Sequence, residues 1–342
     1  MKTNKIFLSV LVAAGMLFTA CSNDESVQLP QDGQAISFRV QGGTPAGMQR
    51  TTGTTVTYVD AFVVYGTDDK ENTATGLNIF KGVTIARQVG GGFDYNPKKY
   101  YSAGATSAQF FAYSPVSAIQ NIANLPTPTS SVFTGASFDY TVVVPDATGN
   151  TTQEDLLVAG TGVSSISATP VNFNFQHALS RVFVKAINSL SQDVVITGLS
   201  LKNLSSKGTI TGTPAATWTW GWSGYDTPDN DYDYVLATTG VAVPVGVTTA
   251  TLVTSMEQGM MILPQTITTT GTGNYMVGDF ALKVTYDVAN LKAQEAYVYL
   301  GNGYKFDAGK QYAITIAFSG ADLIEINFDI KVTDFINDGT ML

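Results

Sequence analysis

At 342 residues the chain is longer than one ordinary domain and long enough for two. It carries 18 basic residues against 27 acidic ones, a net charge of −9 at pH 7, and only 13% charged residues in all, so the basic patches that nucleic acid demands are missing. A single cysteine and a single histidine exclude a disulfide framework and any metal site built from His or Cys ligands, and no cofactor motif is present.

In chain order, residues 1–20 read as a secretory signal peptide: Lys2 and Lys5 give the positive start, 6–18 is the apolar run, and Thr19-Ala20 are small. The run is short for a membrane span, which needs about 20 apolar residues. Once this segment leaves, sixteen basic residues face twenty-seven acidic ones. Leu17-Phe18-Thr19-Ala20-Cys21 resembles the bacterial lipobox, although Phe18 departs from its usual aliphatic residue. Acylation would give the lone cysteine a role and tie the chain to a membrane through lipid on Cys21, at about 0.8 kcal/mol per buried CH₂. The other reading is a free thiol inside an ordinary signal. Ser22-Asn23-Asp24-Glu25 looks like the acidic tag of lipoproteins shown on the outside of the outer membrane in Bacteroidia. Residues 21–34 are then a lipid-attached tether.

The next segment alternates: Ile36, Phe38 and Val40 share one face of a strand, with Ser37 and Arg39 on the other. A Gly-rich loop at 42–47 leads to Arg50-Thr51, a lone arginine in a small, polar joint that a trypsin-like protease could reach. On the residues alone, a solvated loop arginine is the simpler reading.

Beyond this point short apolar runs alternate with turn signals, which predicts an all-β fold. Strands are expected at 56–65, 109–113, 138–144, 156–158, 171–175, 181–187, 194–201, 251–253, 260–263, 280–286, 296–300, 312–318 and 324–332, and a helical turn or two at 116–123. The Gly/Ser/Thr/Pro-rich stretch 160–170 divides the chain, giving an N-terminal β-sandwich domain at 35–165 and a C-terminal one at 166–342. The last strand has the longest period-two run: Ile324, Ile326, Phe328, Ile330 and Val332 alternate with polar residues. It repeats the pattern of 36–40 at greater length, so a groove that takes one could take the other.

Chemistry-bearing motifs are few. His177 would have to serve any Ser/His/Asp triad, and a structural hydrogen-bonding role suits it better. Asp229-Asn230-Asp231-Tyr232-Asp233 starts like a calcium loop, but Tyr234 and Gly240 stand where glycine and the bidentate glutamate belong, so a solvated loop is expected. Trp218, Trp220 and Trp222 share one strand face, which could stack a ligand such as a glycan or pack against a sheet.

Taken together, these residues resemble the fimbrillin-like (Mfa-like) surface lipoproteins of Bacteroidia, which include type V pilus subunits. Beyond the lipobox and tag, the resemblance is carried by Gln109-Phe110-Phe111-Ala112-Tyr113-Ser114-Pro115, Asp155-Leu156-Leu157-Val158-Ala159 and Phe175-Gln176-His177-Ala178-Leu179-Ser180-Arg181-Val182. Leu199-Ser200-Leu201-Lys202-Asn203, Met261-Ile262-Leu263-Pro264-Gln265 and Phe306-Asp307-Ala308-Gly309-Lys310-Gln311-Tyr312 complete it. The resemblance implies two tandem transthyretin-like β-sandwiches and no enzyme activity. It also implies cleavage by a trypsin-like protease after Arg50, loss of the first strand, and replacement of that strand by the C-terminal strand of another pilus subunit. The expected function is a fimbrium subunit; the alternative is an uncut surface lipoprotein or tip adhesin that binds a glycan or host ligand.

Overall fold

The structure is a computed structural model, described over residues 35–40, 49–52, 55–70, 79–123, 135–145, 153–215, 218–234, 236, 239–254, 259–268, 278–320 and 325–334, with 49–52, 55–58 and 325–328 described by backbone alone. The chain is nearly all β in several sheets. The expected helical segment is a short 3-10 helix, Val116–Asn121. Strands expected at 109–113, 194–201, 312–318 and 324–332 run as Ala108–Ser114, Val194–Leu204, Lys310–Ser319 and Glu325–Asp334. The strand expected at 56–65 is two, Thr55–Tyr58 and Ala61–Asp68, because Val59 and Asp60 interrupt the ladder.

A six-stranded sheet lies at the centre of the N-terminal half, in the order Gln176–His177, Leu157–Val163, Ala108–Ser114, Ala61–Asp68, Phe80–Arg87, Phe93–Asp94. Both of its faces are covered. Phe62, Val64, Phe110, Ala112 and Ala159 point into one apolar cluster, and Val63, Tyr65, Phe111, Tyr113 and Val158 into a second. This double burial explains why Ala61–Asp68 and Ala108–Ser114 read as continuous apolar runs without alternation, since neither side chain set meets water. Over the second face lies a four-stranded sheet ordered Thr219–Ser223, Lys207–Thr213, Ala136–Thr141, Ile122–Ala123.

The C-terminal half closes two five-stranded sheets on one another. One runs Val247–Leu252, Ser180–Asn188, Lys310–Ser319, Glu325–Asp334, with Met260–Ile262 added beside Ser180–Asn188; the other runs Asn230–Tyr234, Val194–Leu204, Ala281–Val288, Leu291–Tyr299, with Val241–Val243 beside Val194–Leu204. Their inner residues, among them Val184, Ile314, Ile316 and Phe318 against Ile196, Leu201 and Val284, share the second cluster. The chain crosses the 165/166 divide in both directions. Ala136–Thr141 pairs with Lys207–Thr213, and Phe173 and Phe175 sit in the first cluster.

Candidate functional site: the groove of the leading strand

The leading strand, Phe38–Val40, pairs in parallel with Val171–Phe173 through Phe38↔Val171, Arg39↔Asn172 and Val40↔Phe173. Val171 N–H donates to Ser37 O at 2.8 Å. On its other side an arm at 95–99 holds the strand. Ile36 N–H donates to Lys99 O at 2.9 Å, and the Tyr95 hydroxyl donates to Ile36 O at 2.7 Å. Burial pushes the Tyr95 phenol up to about 12, so it stays a donor through the neutral range.

Alternation puts Ile36, Phe38 and Val40 inward, and all three are buried in the first cluster. Phe38 fills an aromatic box. It stacks on Phe173 at 5.7 Å and 10°, and meets Phe62, Phe80, Tyr95 and Phe110 edge-on at 5.2–6.2 Å. Gly66 leaves room for one wall, because a Cβ there would lie 2.3 Å from the Phe110 ring. The polar face stays outside, where Arg39 Nε donates to Asn172 Oδ1 at 2.8 Å. The strand is thus a plug of side chains with a short backbone ladder. Sequence reasoning located the plug by its alternation. It missed the box, because Phe62, Phe80, Tyr95, Phe110 and Phe173 come from five separate segments.

Other expected site residues are scattered. Cys21 and Ile324 lie outside the described residues. Arg50 and Thr51 lie in Gln49–Thr52, which forms a hairpin with Thr55–Tyr58 (Arg50↔Thr57, Thr51↔Val56). Among the described residues this ribbon joins no other sheet. Ile326, Phe328, Ile330 and Val332 lie in the trailing strand Glu325–Asp334, paired antiparallel to Lys310–Ser319 over its whole length. There it is the edge strand, with Ile330 packed on the second cluster, Val332 exposed, and Lys310 paired to Asp334.

The tryptophans sit over glycines. Trp218 is buried against Gly160, Trp220 covers Gly212 and Trp222 lies by Gly208, while Trp222 Nε1–H donates to Ala178 O at 2.8 Å. Trp220 and Trp222, with Tyr225, also border a cleft of about 570 Å³. His177 Nδ1 lies 2.5 Å from Oδ2 of Asp155, whose side chain is fully buried. The loop expected at 229–233 is a strand instead, Asn230–Tyr234. Tyr232 is wholly buried there and its hydroxyl donates to Ser205 O, while Asp231 pairs with Lys202; the alternation of Asn230, Tyr232 and Tyr234 with two aspartates was its signal.

Comparison with known sequences decides the family. The fimbrillin-like family model matches residues 50–334. The chain belongs to the fimbrillin-like family. The match begins at Arg50 and ends at Asp334, so the leading strand lies ahead of it and the trailing strand inside it. Solved structures similar to this fimbrillin-like chain include a candidate cell adhesion protein from Bacteroides uniformis, 18% identical, covering 90% of this chain and 99% of that one, with a TM-score of 0.46. A candidate cell adhesion protein from Parabacteroides distasonis is 12% identical over 88% and 95%, with a TM-score of 0.47. The tip fimbrial protein Mfa3 from Porphyromonas gingivalis, with a C-terminal truncation, is 12% identical over 79% and 93%, with a TM-score of 0.36. A search of curated proteins returned no match.

Proposed function

We propose that the chain is a structural subunit of a type V pilus, exported to the outer-membrane surface as a lipoprotein on Cys21. A trypsin-like protease then cuts between Arg50 and Thr51, the leading strand leaves with its lipid, and the trailing strand of another subunit fills the groove. One observation carries the reading: the leading strand has all three apolar side chains buried in the core, with three residue pairs in its ladder among the described residues. Such a strand is energetically important and yet topologically separable.

Burying Ile36, Phe38 and Val40 contributes about 1.5–3 kcal/mol each, so their loss forfeits about 5–9 kcal/mol. A domain's whole stability is about 5–15 kcal/mol. The cut form is therefore marginal until another strand enters. An isolated two-stranded hairpin is itself marginal, so the ribbon carrying Arg50 can open to the extended backbone that a protease requires. Among the described residues the trailing strand has a single neighbour, so its departure breaks only one ladder. Strand addition restores both backbone pairing and apolar burial in the acceptor. The interface is head-to-tail, and where its rotation does not close into a ring it yields a filament.

The Arg50→Ala chain tests this. It should remain a folded, lipid-held monomer on the cell surface, and high-mass ladders persisting in that variant would overturn the reading.

A further inference from the structure

We propose that the strand entering the groove belongs to a second copy of this chain, in the single register that places Phe328 in the box of Phe38. The proposal rests on the strand-exchange reading above. It adds the partner, the direction and the register.

The first support is a sequence match between plug and groove. Of the 18 phenylalanines, only Phe38 and Phe328 have Val, Ile or Leu two residues away on both sides. Ile36-Ser37-Phe38-Arg39-Val40 and Ile326-Asn327-Phe328-Asp329-Ile330 therefore superpose as apolar, polar, Phe, polar, apolar. The box has room for one ring, held between a stacked neighbour and four edge-on ones. A smaller aliphatic residue would leave a void, and an indole would overfill it. Since the same chain carries both the socket and its matching plug, copies of it can assemble with one another.

The direction proposed is that of the leading strand, whose backbone partners the entering strand can meet. The groove asks for an N–H and a C=O at position 36, for Lys99 O and the Tyr95 hydroxyl, and for a C=O at position 37, for Val171 N–H. A strand running as the leading one does supplies them from Ile326 and Asn327, neither of which is proline. On the outer face Asp329 then replaces Arg39 opposite Asn172. The Asn172 amide can serve either, giving its oxygen to the arginine or its N–H to the aspartate. The polarity reverses and the pairing is kept.

Cross-linking tests the register. The form beginning at Thr51 has no native cysteine, because Cys21 lies upstream of the cut. Asn172→Cys combined with Asp329→Cys should give, on mild oxidation of assembled material, a ladder of disulfide-linked multimers on non-reducing gels. Two comparison chains pair Asn172→Cys with Asn327→Cys or with Lys331→Cys. A dominant ladder from Asn327→Cys would mean the opposite direction, and one from Lys331→Cys a two-residue slip; either result overturns the proposal. So does normal assembly with no ladder from any of the three pairs. The parent reading fails separately, if the Arg50→Ala chain assembles uncut. As a second variant, Phe328→Asp would bring an unpaired charge into the aromatic box and should abolish assembly. Normal filaments from that variant would show that another segment is the plug.

Discussion

Three residue pairs tie the leading strand to Val171–Phe173, whereas ten tie Glu325–Asp334 to Lys310–Ser319. Burial runs the other way. Ile36, Phe38 and Val40 are each at most 7% exposed, while Val332 is 47% exposed and Asp329 and Lys331 face solvent. The leading strand is thus held mainly by its side chains, whereas the trailing strand combines a ten-pair ladder with Ile330 packed on the second cluster. A ladder can be rebuilt on any edge, but an aromatic box accepts few sequences. The groove is therefore the more selective of the two contacts.

The sharpest way to break this comparison is Phe38→Ala in the uncut chain. Emptying the box should cost about 3–5 kcal/mol, read as a lower urea midpoint for the N-terminal half. A loss below about 1 kcal/mol would mean that the box relaxes around the vacancy. Gly66→Ala comes next. Its new methyl would sit 2.3 Å from the Phe110 ring and push that wall inward. The expected cost is about 1–3 kcal/mol by thermal melting.

Tyr95→Phe removes the hydroxyl from Ile36 O and should cost about 1 kcal/mol. It should also alter the alkaline limb of the stability curve. The folded-state value of Tyr95 is raised from 10.0 to about 12, so its contribution is complete below pH 10 and is lost as pH rises from 10 to 12. The variant should lose less stability than the parent across that window, as followed by pH-dependent urea unfolding. Val332→Ala is the smallest change. At an exposed edge position it should move stability by no more than about 0.5 kcal/mol, and a larger loss would show that Val332 is packed as Ile330 is.

Alternation made both terminal strands legible in the sequence, since each alternates apolar and polar residues. The same rule failed wherever a strand carried no such contrast. Phe80–Arg87 was missed because polar and apolar residues mix along it. In Asn230–Tyr234 the aspartates give the pattern of a loop and mask the buried Tyr232. The groove was half legible. Its plug is local and periodic, but its walls come from residues between Phe62 and Phe173 that only the fold unites. The tryptophan stripe shows the same limit. Its spacing gave the face, but the glycines beneath it, Gly160 among them, lie on other strands.

The central claim is that the leading strand is a temporary occupant of its groove. Reading the N-terminal sequence of high-mass assemblies sheared from the cell surface tests it most directly. Subunits beginning at Thr51, without the lipid of Cys21, are the predicted result. Assemblies whose subunits all begin at an acylated Cys21 would contradict it and leave an uncut surface lipoprotein.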